Sequence, residues 1–135
     1  MDAQLATRNA RYLEETVATA PPSKLLTLLY DRLVRDLTMG EKAIEVGDRS
    51  TWVYALDHAR EIVTELMTSL DLQAWKGAHD LARVYSWMVT ELIGAAIHGD
   101  ASRVAPIRTM VEDLRTAWHE AASQISPSTP QAFTA

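Results

Sequence analysis

Apolar residues recur at spacings of three and four along most of the chain, the pattern of amphipathic helices. The first stripe starts behind Pro21 and Pro22. Proline is tolerated at a helix start and disfavours helix in the residue before it. The stripe consists of Leu26, Leu29, Leu33, Leu37, Gly40 and Ile44. A first helix is therefore predicted from about residue 23 to residue 46, followed by Gly47 as a stop signal and by Asp48 or Ser50 as the next cap.

Three further stripes of similar length predict three more helices. The second helix is expected over residues 50–70 and the third over residues 78–98, with a loop over residues 71–77 between them. The fourth carries a stripe from Val104 to Ile125, in which Pro106 either follows the helix start or bends the first turn. The core positions are Ala55, Ala59, Ile62, Leu66 and Leu70, then Leu81, Tyr85, Met88, Leu92 and Ala96, then Val104, Ile107, Val111, Leu114, Trp118, Ala121 and Ile125.

Four helices with short connections predict an all-α fold, an antiparallel up-down four-helix bundle. The bundle is assigned to residues 23–125, after an N-terminal arm or short helix over residues 1–22. Residues 126–135 contain two prolines and no charged side chain, so a disordered tail is predicted there. In the arm, Tyr12, Leu13 and Val17 are expected to fold back onto the bundle, because leaving each in water costs about 1.5 kcal/mol or more.

Composition narrows the classes of partner and compartment. The net charge of −5 gives no advantage in binding nucleic acid or anionic lipid. The absence of cysteine excludes disulfides and fits a reducing compartment. No run approaches the roughly 18 apolar residues of a membrane span, and Arg8, Arg11, Glu14 and Glu15 interrupt any signal-peptide core. We expect a cytoplasmic protein without membrane insertion or a nucleic-acid partner.

The sequence offers no catalytic, cofactor or metal constellation. A di-metal bundle site needs Glu-x-x-His pairs, but the residues three before the four histidines are Ala55, Lys76, Ala95 and Thr116. The alternative chemical hypothesis is a histidine phosphotransfer bundle, which uses one exposed histidine. His58 and His79 are its candidates, although both lack the Lys-Gly that usually follows three residues later. We therefore expect neither an enzyme nor a cofactor.

The second and third helices carry more apolar residues than one core line requires. Their apolar arcs approach about half the circumference, against the about 100° of an ordinary bundle helix. Either each arc packs against two neighbours, or the two helices form a groove for another amphipathic helix. The groove hypothesis assigns partner binding to Leu56, Val63, Met67, Val89, Ile93 and Ile97, with Tyr12, Leu13 and Val17 as an N-terminal lid.

Trp87 is predicted to project from the third helix, opposite the core line. One interpretation is a simple loop contact. The other is an anchor for a partner, because exposed aromatic residues contribute much of the energy in protein interfaces. Trp87 is therefore added to the candidate partner-binding residues.

Short motifs carry a family resemblance over about residues 12–122. They are Thr19-Ala20 before a proline, Lys24-Leu25-Leu26, Leu29-Tyr30-Asp31, Glu65-Leu66-Met67, Ser69-Leu70-Asp71, Leu81-Ala82-Arg83-Val84-Tyr85, Trp87-Met88 and Leu114-Arg115-x-Ala117-Trp118. Together they resemble the flagellin-specific secretion chaperones, the FliS family. Arg32 stands where that family commonly has glycine, and Pro21 where it commonly has serine.

The resemblance implies a helical bundle that binds the disordered C-terminal segment of flagellin in the cytoplasm. Binding would prevent premature polymerisation, and the complex would be delivered to the export gate of the flagellar type III secretion apparatus. The resemblance also implies that the N-terminal segment covers part of the flagellin surface when no flagellin is bound. Whether other flagellar regulators are partners stays open.

Overall fold

The computed structural model describes residues 24–125, with side chains to residue 123, and this part of the chain forms four α-helices. They are α1 (Lys24–Glu45), α2 (Arg49–Ser69), α3 (Ala78–His98) and α4 (Ala101–Ile125). The predicted all-α class is confirmed, and the first three predicted helices agree with the structure to within a residue. The predicted arm over residues 1–22 and tail over residues 126–135 lie outside the described residues.

The four helices close into an up-down-up-down ring. Close packing joins α1 to α2, α2 to α3, α3 to α4 and α4 back to α1. The helices α1 and α3 therefore occupy diagonal corners of the bundle. The ring leaves α2 with a neighbour on each side, a feature that matters for its broad apolar arc.

Glycine ends both α1 and α3. Gly47 has φ 75° and Gly99 has φ 61°, a conformation that only glycine adopts without strain. At each end the next N–H closes a six-residue turn: Asp48 N–H donates to the Ala43 carbonyl, and Asp100 N–H donates to the Ala95 carbonyl. These stops keep both connections short, so the consecutive helices must pack antiparallel.

Pro106 lies inside α4, which begins five residues earlier at Ala101. Its ring nitrogen has no hydrogen to donate to the Ser102 carbonyl one turn earlier. The helix nevertheless continues without interruption to Ile125. Pro106 therefore lies in the second turn of α4, further from the helix start than the sequence predicted.

The core takes one stripe from each helix, largely as the periodicity predicts. Its large apolar members with almost no exposed surface are Leu33, Leu37, Leu56, Leu81, Met88, Leu92, Ile107 and Leu114. Several residues of the predicted stripes pack against this cluster while keeping some exposure, namely Leu26, Leu29, Ile44, Leu70 and Ala96. One contiguous hydrophobic cluster thus joins all four helices.

A pair of tyrosines crosses the centre of the bundle. The hydroxyl oxygens of Tyr30 on α1 and Tyr85 on α3 are 2.7 Å apart, and both side chains are buried. Burial raises the pKa of Tyr30 to about 12, partly offset by the hydrogen bond to Tyr85. Burial also raises the pKa of Tyr85 well above its usual value. The pair links diagonal helices that share no extensive packing.

A buried carboxylate links α1 to α2. Asp36 is almost fully buried, and its Oδ2 lies 2.5 Å from Nδ1 of His58. Its Oδ1 accepts a hydrogen bond from Arg32 Nε at 3.3 Å. A buried charge needs such partners to offset lost hydration. His58, expected from the sequence to be a solvated surface residue, is instead a half-buried partner of this carboxylate.

The hydroxyl pair gives a test of the core. Replacing Tyr30 or Tyr85 alone with Phe leaves one buried hydroxyl without a partner, which costs about 1–3 kcal/mol. Replacing both removes the orphaned group as well, so the double variant should lose less stability than the sum of the two single variants. Urea unfolding at neutral pH measures all three losses.

The stabilities of the same variants can also be compared at alkaline pH. The unfolded tyrosines ionise near their ordinary pKa, whereas folded Tyr30 keeps its proton up to about 12. The stability of the natural chain should therefore fall as pH rises from about 10 to about 12, and the double Phe variant should show a shallower fall. Additive single losses, together with identical alkaline profiles, would contradict the buried pair.

Candidate partner-binding groove

A shallow groove of about 410 Å³ runs between the start of α2 and the end of α3. Its apolar lining comprises Val53, Ile93, Ala96 and Ile97, and its charged lining comprises Arg49, Asp57 and Arg60. Ile93 is 45% exposed and Ile97 is 61% exposed. We name this surface the α2–α3 groove.

Helical spacing explains why these side chains share one surface. Ile93 and Ile97 are four residues apart and lie one above the other on α3. On α2, Arg49 and Asp57 are each four residues from Val53 on the same face. The groove therefore has an aliphatic floor and a rim with charges of both signs. Such a surface suits the apolar face of an amphipathic helix.

Trp52 fixes the two helices at this end of the bundle. Its Nε1–H donates to the Ala96 carbonyl at 3.0 Å. Its ring also lies against Gly99, where an added Cβ would come 2.7 Å from Cζ2 of the indole. Because Ala96 lines the groove, the tryptophan holds the groove's α3 wall in place against α2.

The structure divides the six groove residues predicted from the sequence. Ile93 and Ile97 line the α2–α3 groove. Met67 and Val89 are half-buried and pack against the core cluster. Two assignments need correction: Leu56 and Val63 are only 1% and 0% exposed, so they belong to the core and do not line the groove.

The position of Leu56 has a clear steric cause. Gly40 on α1 has no side chain, and a Cβ there would lie 2.6 Å from Cδ2 of Leu56. The close approach of α1 takes Leu56 into the interface between α1 and α2. On α2, the broad apolar arc therefore serves two neighbouring helices, which is the alternative interpretation that the sequence left open.

Trp87 does not project freely from α3. It is half-buried and packs against the core cluster, contrary to the prediction of an exposed side chain. Gly94 lies two turns further along the same face of α3, and there the guanidinium of Arg103 on α4 occupies the space of a missing side chain. The Trp87 flank therefore faces α4, away from the α2–α3 groove.

Sequence reasoning missed Val53 and the charged residues around it. The residues predicted for the α2 side of the groove were Leu56, Val63 and Met67, and Val53 was not among them. A signal was available in the spacing of Arg49, Val53 and Asp57, since residues four apart form one surface of a helix.

A second apolar cavity, of about 270 Å³, lies at the opposite end of the bundle, where α1 begins. Its largest lining side chains are Leu25, Leu29, Leu66, Leu70, Trp75, Leu81, Tyr85 and Trp118. Trp118 Nε1 is buried without a hydrogen-bond partner within the described residues. We name this cavity the end pocket. The predicted lid residues Tyr12, Leu13 and Val17 lie outside the described residues.

The described residues offer little chemistry beyond apolar contact. Within residues 24–125, no three His, Asp or Glu side chains come together as metal ligands. No described helix combines the length and hydropathy needed to cross a membrane. His58 is occupied by its contact with Asp36, and His79 is exposed. The features that the geometry does supply are two apolar surfaces at opposite ends of a rigid bundle.

Comparison with known proteins decides the family. A family model described as flagellar protein FliS matches residues 4–125. The chain belongs to the FliS family. It is 29% identical over 110 residues to the flagellar secretion chaperone FliS of Bacillus subtilis, covering 82% of this chain and 82% of that protein. It is also 29% identical over 119 residues to the protein of the same name from Salmonella typhimurium, covering 85% and 84%.

A third relative agrees with the first two. The flagellar secretion chaperone FliS of Escherichia coli is 27% identical over 118 residues, which cover 86% of this chain and 85% of the relative. The family resemblance inferred from the short motifs is thereby confirmed. The phosphotransfer hypothesis for His58 and His79 has no support from these relatives.

Two matched glycine substitutions test the packing at the end of the groove. Gly99→Ala should destabilise the protein more than Gly47→Ala. Both changes force alanine into a left-handed conformation, which costs roughly 1–2 kcal/mol. At Gly99 the new methyl group would also overlap Trp52, whereas Gly47 has nothing within 4 Å of that position. Overpacking adds roughly 1–3 kcal/mol.

Thermal and urea unfolding of both variants measure the difference. The Gly47 variant serves as the control, since it carries the backbone strain without the clash. Equal losses of stability would show that the Trp52 ring does not pack closely against Gly99.

Proposed function

We propose that this chain is a cytoplasmic export chaperone that binds the disordered C-terminal segment of flagellin in the α2–α3 groove. Binding keeps flagellin from polymerising early, and the complex is delivered to the flagellar type III export gate. Membership of the FliS family and the similarity to flagellar secretion chaperones support the chaperone role. The proposal assigns the chain no catalytic activity and no cofactor.

The observation that carries the site is the exposure of Ile93 and Ile97. Both are large aliphatic residues on a well-packed helix, and 45% and 61% of their surfaces face water. They lie beside Val53 in one continuous groove. Each would contribute about 1.5 kcal/mol or more if a partner covered it fully. The cavity therefore offers a favourable site for an apolar helix face.

The mechanism is exchange of apolar contacts. A flagellin segment with one apolar face self-associates when that face is exposed, and the groove replaces those contacts with contacts to the chaperone. Arg49, Asp57 and Arg60 at the rim can pair with charges of either sign, which favours one register of the bound helix. Ordering a disordered segment costs about 2–5 kcal/mol of the gross interaction. That cost keeps the complex reversible enough for transfer.

The other residues predicted from the sequence contribute less directly to the proposed binding. Met67 and Val89 keep partial exposure, so they extend the apolar line along α2 and α3 beyond the main cavity. Trp87 faces another flank, where it can serve only as a separate contact for a wrapped partner. Leu56 and Val63 support the groove from below through their packing in the core.

The groove is tested by two exposed substitutions. The double variant with Ile93→Asp and Ile97→Asp should weaken binding of a flagellin C-terminal peptide at least about tenfold, because it removes apolar contact worth more than about 1.4 kcal/mol. Titration calorimetry with the natural chain and the variant measures the change. Substituting Met67 as well would confuse the result, since that residue also packs against the core.

Met39→Asp is the matched control for this experiment. Met39 is 41% exposed, similar to Ile93, but it lies on α1 outside the groove. This control should bind the peptide normally, and all variants should keep the helical circular dichroism of the natural chain. Unchanged affinity in the Ile93 and Ile97 double variant would remove the groove from the proposal.

The N-terminal lid is a separate part of the proposal. Tyr12, Leu13 and Val17 are proposed to cover apolar surface of the bundle until flagellin displaces them. Changing Leu13 and Val17 to Asp should then tighten peptide binding in the same titration, because no lid has to be displaced. Weaker binding would instead make the arm a direct contact for flagellin.

A further inference from the structure

The outer face of α1 carries a second regular stripe, of which only the first member, Leu25, also lines the end pocket. Its members follow one another at spacings of three and four, namely Leu25, Leu28, Arg32, Arg35, Met39, Lys42 and Val46. Val46 follows directly after the last helical residue, Glu45. This alternation places the seven residues along one side of the helix, as in the seam of a coiled coil. We name them the α1 outer stripe.

The apolar members of the stripe are exposed. Leu25, Leu28, Met39 and Val46 have 64%, 52%, 41% and 70% of their surfaces accessible. Single exposed aliphatic residues are ordinary, but four in one heptad register are not explained by the fold. The core stripe on the opposite side of α1 already provides the contacts that hold this helix in the bundle.

The stripe also has a distinct charge. Arg32, Arg35 and Lys42 are all basic, although the whole chain has a net charge of −5. Arg35 and Lys42 form no ion pair with any acidic group within residues 24–125. Arg32 contacts Asp36 through Nε, and 45% of its side chain remains exposed. Asp31, an acidic residue of α1, already pairs with Arg115 on α4.

From this juxtaposition we propose that the α1 outer stripe binds an acidic amphipathic helix of a partner protein. Leucine-like side chains of that helix would interleave with Leu28 and Met39, and its glutamates or aspartates would pair with Arg35 and Lys42. A second copy of this chain is a poorer occupant, because two such stripes bring like charges together. An anionic membrane is also a poorer occupant, because the chain as a whole is acidic.

The stripe and the α2–α3 groove are separate surfaces. The stripe lies on α1, which is diagonal to α3 in the ring. A helix confined to the groove therefore leaves the stripe open, so both surfaces can be occupied on the same bundle. The inference does not depend on the identity of the groove's occupant.

Designed peptides provide the test. The first probe is a labelled helical peptide with leucine at the a and d heptad positions and glutamate at e and g, where mutual repulsion keeps it monomeric. The second has lysine in place of those glutamates. Fluorescence anisotropy with the full chain should give at least about tenfold tighter binding of the acidic peptide, and added salt should reduce this preference.

Variants locate the binding surface. Arg35→Glu with Lys42→Glu should remove the preference for the acidic peptide, and Met39→Asp should weaken binding of both peptides about tenfold or more. Tyr54→Asp is the control that should leave both affinities unchanged, because Tyr54 is 65% exposed on α2 and lies outside both the stripe and the α2–α3 groove. Because all these side chains are exposed, each variant should keep its helical spectrum.

Several results would overturn the inference. Equal affinity for the two peptides, no binding of either, or loss of binding in Tyr54→Asp would each do so. A dimer of the chain that dissociates on Met39→Asp would assign the stripe to a second copy instead. Sedimentation with anionic vesicles that depends on Arg35 and Lys42 would assign it to a membrane. Tighter peptide binding after Glu14→Lys and Glu15→Lys would assign it to the chain's own arm.

Discussion

The packing of α2 between α1 and α3 is the constraint on which the other features depend. On one side, Gly40 admits Leu56, and Asp36 contacts His58. On the other side, Trp52 donates its indole N–H to Ala96 and lies against Gly99. These contacts combine close apolar packing with hydrogen-bonded polar groups. Together they specify one arrangement of the helices. With α2 fixed, the edge it shares with α3 becomes a rigid groove.

Hydrophobic periodicity was sufficient to predict the four helices and most of the core. Leu81, Tyr85, Met88 and Leu92 recur at helical spacing, and the structure buries all four. The stops at Gly47 and Gly99 were predictable for the same local reason, since a left-handed residue at a helix end favours glycine. Such features depend on residues that are close together in the sequence, so the sequence alone is enough to predict them.

The placement of individual side chains around each helix was less predictable. A helical wheel shows where the apolar residues Leu56 and Val63 lie around α2, but it does not show that both are buried in the bundle. Trp87 was assigned to open surface because its α4 neighbour was unknown. The contact between Asp36 and His58 joins residues 22 positions apart. These details follow from the relative positions of helices, which spacing within a single helix does not determine.

We expect the bundle to bind without being remodelled, and amide hydrogen exchange with and without a flagellin C-terminal peptide tests this most directly. Exchange at the start of α2 and the end of α3 should be slower when the peptide is bound. Exchange around Leu56 and Val63 should be unchanged, because these residues stay in the core. Faster exchange there, with no protection near Ile93 and Ile97, would show that flagellin opens the bundle and would contradict a preformed groove.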